Sequence, residues 1–367
     1  MPPATARAAV LASYGRPLEL REFPLVPLAD GEVRVRVMAA GVCGSDVHIW
    51  RGEDPRTPLP LILGHEGVGC VDEIRGAKQD VYDQELRPGD LVLWERGITC
   101  GRCAYCVIRK QPALCPHRRT YGISVGCADA PHLRGAYAEY IHLRADAHLI
   151  RVDGDVDPAV LVSATCSGAC AAHAIEQAHI RPGDAVLVLG PGPMAMFLVA
   201  FARERGAGHI TVIGSRRSAA RLAMAQRMGA DSVLFRDETS LADRLEAVRD
   251  QTHGFGACVV FEASGSPEAV AEAVEHTAPY GTCLIPGIAV PVGRVPVSVF
   301  EHIARKNVRL QGVWVSDTSH LCAALDLVLS RRYPFDEMVT HRFPLDEATG
   351  ALEVVERREA VKAVVMP

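Results

Sequence analysis

Cys43, His65 and Cys166 carry the donor types that zinc prefers, two sulfurs and one ring nitrogen. Three such donors close three corners of a tetrahedron and leave the fourth open to water or a substrate oxygen, as in a zinc that does chemistry. Taken singly, each would be an ordinary buried cysteine or a hydrogen-bonded histidine. What raises them above that reading is the company they keep, Gly41-Val42-Cys43-Gly44-Ser45-Asp46-Val47-His48 and Gly64-His65-Glu66. Glu66 is suited to sit behind the metal and tune its charge. Asp46 is suited to accept the free ring N–H of His65 and fix its tautomer. Cys100, Cys103, Cys106 and Cys115 form a second set, four thiols within one short stretch. Four thiolates close a tetrahedral shell completely, so this set predicts a structural zinc with no open position.

A third constellation is Gly190-Pro191-Gly192-Pro193-Met194-Ala195, directly after the apolar run Ala185–Leu189. It fits the G-x-G-x-x-A form of the dinucleotide fingerprint. Its glycines let the backbone turn sharply and approach a pyrophosphate, and the helix start offers free N–H groups. Gly190, Gly192, Pro193 and Met194 are therefore candidate cofactor contacts. At the end of the next strand, NAD-binding chains usually carry an acidic residue for the ribose hydroxyls. This chain has Gly214-Ser215-Arg216-Arg217 there. Without that carboxylate, and with two arginine forks suited to phosphate, NADP(H) is the expected preference and NAD(H) a possible substitute.

The elements that must position these groups fall into two textures. To about residue 150 the chain reads as antiparallel strands with few helices, among them Arg7–Leu11, Val33–Ala39, Val68–Ile74 and Leu91–Trp94. From Asp184, short apolar runs alternate with helical patterns, which implies a parallel sheet with right-handed crossovers. A helix near 318–330 and short strands near 340 and 361–365 close the pattern. With 367 residues, 49% of them hydrophobic, the chain can bury two cores of ordinary size. A net charge of −5 argues against a nucleic-acid partner. The start Met1-Pro2-Pro3 lacks a secretory pattern and the apolar run Met194–Ala202 is too short for a bilayer, so a cytoplasmic protein without membrane partners is expected. Of the twelve cysteines, Cys70, Cys127, Cys170, Cys258, Cys283 and Cys322 lie outside any motif and read as small apolar side chains.

The residues above resemble those of the zinc-dependent medium-chain alcohol dehydrogenases over nearly the whole chain. Besides the Cys43, His65, four-cysteine and glycine motifs, Arg181-Pro182-Gly183-Asp184 and Phe261-Glu262-Ala263-Ser264-Gly265 carry the likeness. The resemblance implies an α/β protein: a GroES-like, mostly antiparallel β catalytic domain at 1–166 and 313–367, with the structural zinc lobe at 96–118, split around a Rossmann doubly wound parallel sheet at 167–312. It implies two zinc ions per chain, one held by Cys43, His65 and Cys166 and one by the four-cysteine lobe. It implies that Ser45 accepts the proton of an alcohol and passes it through the nicotinamide ribose to His48 and solvent, with Glu66 adjoining the metal. A small alcohol or carbonyl compound is the implied substrate, and a homodimer or homotetramer the implied assembly. If the alignment slips, Cys170 is the rival to Cys166. The step from Cys106 to Cys115 is one residue longer than the family's common form. Ile49, Trp50, Trp94 and Trp314 are candidates to line a substrate pocket. Two other functions stay open, an NAD-dependent polyol or amino-alcohol dehydrogenase and a nucleotide-binding protein that has lost catalysis.

Overall fold

Strand Val33–Val42 alternates little, because both of its faces are covered; all but two of its residues are buried. It pairs antiparallel with Glu66–Ile74 on one side and with Lys362–Met366 and Tyr140–Leu143 on the other. The computed structural model describes residues 4–367. These divide into two units, one reaching to Cys166 and including Asp317–Leu325 and Val339–Pro367, the other Ser167–Ser316 and Asp326–Met338.

In the first unit the sheet around Val33–Val42 runs in the order Leu149–Arg151, Leu91–Trp94, Glu66–Ile74, Val33–Val42, Lys362–Met366, Val339–Pro344. A smaller sheet orders Glu19–Pro24, Thr5–Leu11 and Leu61–Ile62. Leu11, Leu61, Trp94, Tyr121 and Tyr137 fill the core with no more than 1% of their surface exposed. Each buried leucine of that kind contributes roughly 1.5–3 kcal/mol. The two-stranded ladder of Gly97–Ile98 with Arg119–Thr120 closes the base of the four-cysteine lobe.

The second unit is built on six parallel strands in the order Ser232–Phe235, His209–Gly214, Ala185–Leu189, Ala257–Glu262, Thr277–Ile285, Arg309–Gly312. The strand order reverses beside Ala185–Leu189, which is where a doubly wound sheet opens a crevice for a nucleotide. The sequence puts the return to the first unit at residue 313; the structure groups residues 313–316 and Asp326–Met338 with the second unit. Aromatic packing accounts for the latter segment. Phe335 lies 4.5 Å from Phe197, centroid to centroid, and the Tyr333 hydroxyl donates to the carbonyl of Ala200 at 3.2 Å. No single helix among the described residues is long and apolar enough to cross a membrane.

Candidate functional site

Three separate segments of the first unit deliver the dispersed donors. Cys43 ends the central strand and caps the helix Gly44–Trp50, a helix absent from the sequence reading. Its N–H donates to Asp46 Oδ2 at 2.9 Å, so the cap that starts the helix also fixes the thiol's backbone. His65 follows Gly64, whose φ of +88° makes the turn before strand Glu66–Ile74. Cys166 ends the 3-10 turn Val162–Thr165. Ligand atoms of Cys43, His65, Glu66 and Cys166 all lie within 4.8 Å of one another. Cys170 is outside this group.

The ring of His65 is oriented by Asp46, with Nδ1 3.1 Å from Oδ1. That leaves Nε2 as the nitrogen free to meet a cation, and Ser45 Oγ lies 3.3 Å from it. Burial works against charge on this ring, yet Asp46 and the Cys43 sulfur raise its pKa to about 10. The hydrogen bond with Cys166 holds the Cys43 thiol well below its usual range despite burial. A partly buried thiolate beside a buried imidazolium is a donor set in which a proton occupies the place a metal cation can take. Behind them, Glu66 Oε2 pairs with Lys362 Nζ, and both side chains are fully buried. Lys362 also donates to the carbonyl of Val42 at 3.2 Å. Burial pushes the Glu66 carboxyl up to about 7, with Lys362 opposing. Glu66 Oε1 is buried and has no protein partner. The donor chemistry and this orphaned oxygen both fit a metal. His48 is half exposed, and its Nδ1 faces Glu53.

The second cluster is local. Cys103 Sγ lies 3.5 Å from Cys106 Sγ and 3.9 Å from Cys115 Sγ, and Cys115 Sγ lies 3.6 Å from Cys100 Sγ. Four sulfurs at zinc's bond length stand about 3.8 Å apart along the edges of a tetrahedron. A disulfide would need about 2.05 Å. The thiols therefore fit one cation and are not bonded to each other. The 3-10 turn Pro112–Leu114 leads directly into Cys115.

In the second unit, Gly190 has φ +99°, and a Cβ there would come 2.6 Å from the backbone of Ser264. Gly192 caps the helix Pro193–Glu204, with Pro193 in its first turn and Met194 next. Gly214 ends its strand against Pro191. Ser215 caps the turn Arg216–Ser218. Both arginines are exposed. Arg216 is engaged by the neighbouring strand's exit, because Arg236 N donates to Gly214 O at 2.8 Å and brings Asp237 and Glu238 alongside. Both Asp237 oxygens accept the Arg216 N–H, and Glu238 accepts from its guanidinium. Glu262 is a buried carboxylate whose Oε1 gathers Ser264 N, Ser264 Oγ and Gly265 N at 2.6–2.9 Å.

Residues 29–154 match the model of the alcohol dehydrogenase GroES-like domain, and 193–330 match that of the zinc-binding dehydrogenases. The 5-exo-hydroxycamphor dehydrogenase of Pseudomonas putida is 32% identical over 98% of either chain. This chain belongs to the zinc-dependent medium-chain alcohol dehydrogenase family. Its structure is similar to an alcohol dehydrogenase from Thermotoga maritima, with a TM-score of 0.95 and 44% identity over 99% of both chains. A zinc-binding dehydrogenase of Sinorhizobium meliloti bound to NADP matches over the full length of both chains, at 27% identity and a TM-score of 0.87. As a member of the family, this chain is an oxidoreductase acting on CH–OH groups, with zinc and a nicotinamide nucleotide as its cofactor classes.

Of the aromatic and aliphatic candidates for this dehydrogenase's substrate pocket, Ile49 and Trp94 are fully buried in the core of the first unit. Gly67 is pressed against the Trp94 ring, which leaves no room for a ligand on that edge. Trp50 packs against the same core and its Nε1 donates to Arg16 O at 2.7 Å. Trp314, in the second unit, is 39% exposed. Sequence reasoning did not find Lys362, Asp237 or Glu238. Lys362 left one signal, a lone cation in the otherwise apolar run Ala360–Val365.

Proposed function

We propose that this dehydrogenase oxidises a primary or secondary alcohol, or reduces the matching aldehyde or ketone, with two zinc ions per chain and a preference for NADP(H). The observation that carries the reading is the convergence of Cys43, His65 and Cys166 on one point, with Glu66 alongside. In this reading those three residues hold the catalytic metal, and Cys100, Cys103, Cys106 and Cys115 hold the structural one. The bound cation supplies Lewis acidity toward the alcohol oxygen, and the nucleotide is the hydride acceptor.

The chain's own part is to move a proton and to hold charge. Ser45 Oγ lies next to the ligand nitrogen of His65, within reach of an oxygen at the open position. It would take the alcohol's proton and hand it on, by way of the hydroxyls of a bound nicotinamide ribose, to His48, whose ring is open to solvent. Lys362 pairs with Glu66 and so fixes one of its oxygens beside the cluster. The preference for NADP(H) rests on Arg216 and Arg217 at the end of strand His209–Gly214, and on the absence of a carboxylate from that strand end. An assembly of two or four copies is supported by the edge strand Arg309–Gly312, whose four residues are all exposed. Its test is the mass of the particle in solution.

Metal analysis combined with a panel of alcohols and ketones assayed with both cofactors tests the reading. About two zinc per chain and turnover that favours NADP(H) support it. One zinc per chain and no turnover would leave only the structural lobe, and a clear advantage for NAD would remove the cofactor preference.

A further inference from the structure

The end of strand His209–Gly214 lacks the carboxylate that usually grips a ribose, yet the structure brings two carboxylates to the same spot from the next strand. Strand Ser232–Phe235 lies parallel beside it, with Gly214 opposite Phe235. The chain leaving that strand then passes over the turn Arg216–Ser218. Asp237 accepts the backbone N–H of Arg216 with both oxygens, at 2.9 and 3.0 Å. Glu238 Oε1 accepts from Arg216 Nε at 2.5 Å, and a second guanidinium nitrogen of Arg216 is paired with the same oxygen. The guanidinium lies 4.2 Å from the centroid of the Phe235 ring, which fixes its plane. Arg217, one residue on, is exposed and has no partner among the described residues.

An N–H opening a helical turn and an arginine fork are together the donors that a phosphate group takes. Here both are already filled by side-chain anions. We propose that Asp237 and Glu238 are specificity-determining residues that occupy this cradle themselves and must be displaced by a 2′-phosphate. The inference rests on the reading that a nicotinamide nucleotide binds this unit. A ribose with a free 2′-hydroxyl can donate to either carboxylate, and so gains a partner. A 2′-phosphate can only accept and carries like charge, so it must break the Arg216 pairs or settle on Arg217. The two carboxylates thus act in place of the missing acidic residue at the strand end and keep NAD(H) usable. The two arginines pull toward NADP(H). The cofactor preference is a balance between them.

Calorimetric titration of the full chain with adenosine 2′,5′-bisphosphate and with 5′-AMP tests this, in the wild type and in Asp237→Asn and Glu238→Gln. Both substitutions keep shape and remove charge at exposed positions, so melting curves should match the wild type. Either variant should bind the bisphosphate about three- to tenfold more tightly, while 5′-AMP, which loses a charged acceptor for its 2′-hydroxyl, should bind about two- to threefold more weakly. The ratio of kcat/KM for NADP to that for NAD should rise by at least the gain in bisphosphate affinity. Bisphosphate affinity unchanged or weakened in both variants, with 5′-AMP still binding, would overturn the inference and leave the nucleotide site standing. If the wild type binds neither nucleotide, the nucleotide reading falls and this inference falls with it.

Discussion

Two thiolate clusters stand within one unit and are built in opposite ways. The four cysteines at 100–115 come from one short excursion of the chain, and three of them are partly exposed. Cys43, His65 and Cys166 come from a strand end, a turn and a 3-10 helix, and they converge on a core where Asp46, Glu66 and Lys362 are fully buried. In the proposed reading the local cluster needs a cation, because its lobe has little core of its own. The dispersed cluster is held by the sheet and by fixed charges whether or not a cation is bound. In the proposed reading one set of ligands serves stability, and the other serves the chemistry of a position left open.

The largest effect that sharpens this contrast is expected from Cys43→Ser. Turnover should fall by at least about a thousandfold. Metal content should drop from about two zinc per chain to one, and the melting temperature should move little. A variant that keeps most of its activity would break the distinction at once. Cys103→Ser is the converse. It should lower the melting temperature by on the order of 5 °C or more, because the cation there supplies folding energy. The kcat of the molecules that remain folded should stay within a few-fold of the wild type. Asp46→Asn acts on the dispersed cluster alone, through the orientation of the His65 ring, and should weaken its metal affinity about 10–100-fold. Competition with a fluorescent chelator, read separately for the two sites, measures it.

The smallest effect, taken per pH unit, is a slope with pH. In the metal-free protein, the His65 ring stays protonated up to about 10, since Asp46 and Cys43 overcome the penalty of burial. In the lobe, burial and the neighbouring thiols push Cys106 up to about 11. Each proton must leave when the metal enters, so protonation competes with binding. Affinity should therefore rise with pH at both clusters, about tenfold per pH unit for each proton released, and level off only near those values. Titrations between pH 6 and pH 8 would show it, and a flat profile would mean that the protons are already gone.

The comparison also explains what could be read from the letters. The lobe was legible because its four donors lie within sixteen residues, and spacing alone predicts their meeting. The parallel unit was legible because strands such as Ala185–Leu189 and Ala257–Glu262 are buried apolar runs between helices of clear period. Helix Ser167–Ala178 was not, since it is buried on nearly every face and has no polar stripe to mark its turn. Helix Gly44–Trp50 was hidden because its start is capped by Cys43 and Asp46, residues that were read for their chemistry. Lys362 could not be assigned to Glu66, because pairing across 296 residues depends on strand Lys362–Met366 docking beside Val33–Val42. Asp237 and Glu238 were missed for a related reason, since only parallel register carries them over Arg216.

That docking has a consequence for the order in which the protein is made. Glu66 is synthesised early and Lys362 late, and the entire nucleotide-binding unit is made between them. Until the late strand arrives, the end of the central strand at Ala40–Val42 is unpaired on that side and the buried acid lacks its lysine. The four-cysteine lobe can take its metal on the ribosome soon after it emerges. The Glu66–Lys362 pair is completed only after the whole second unit has been made.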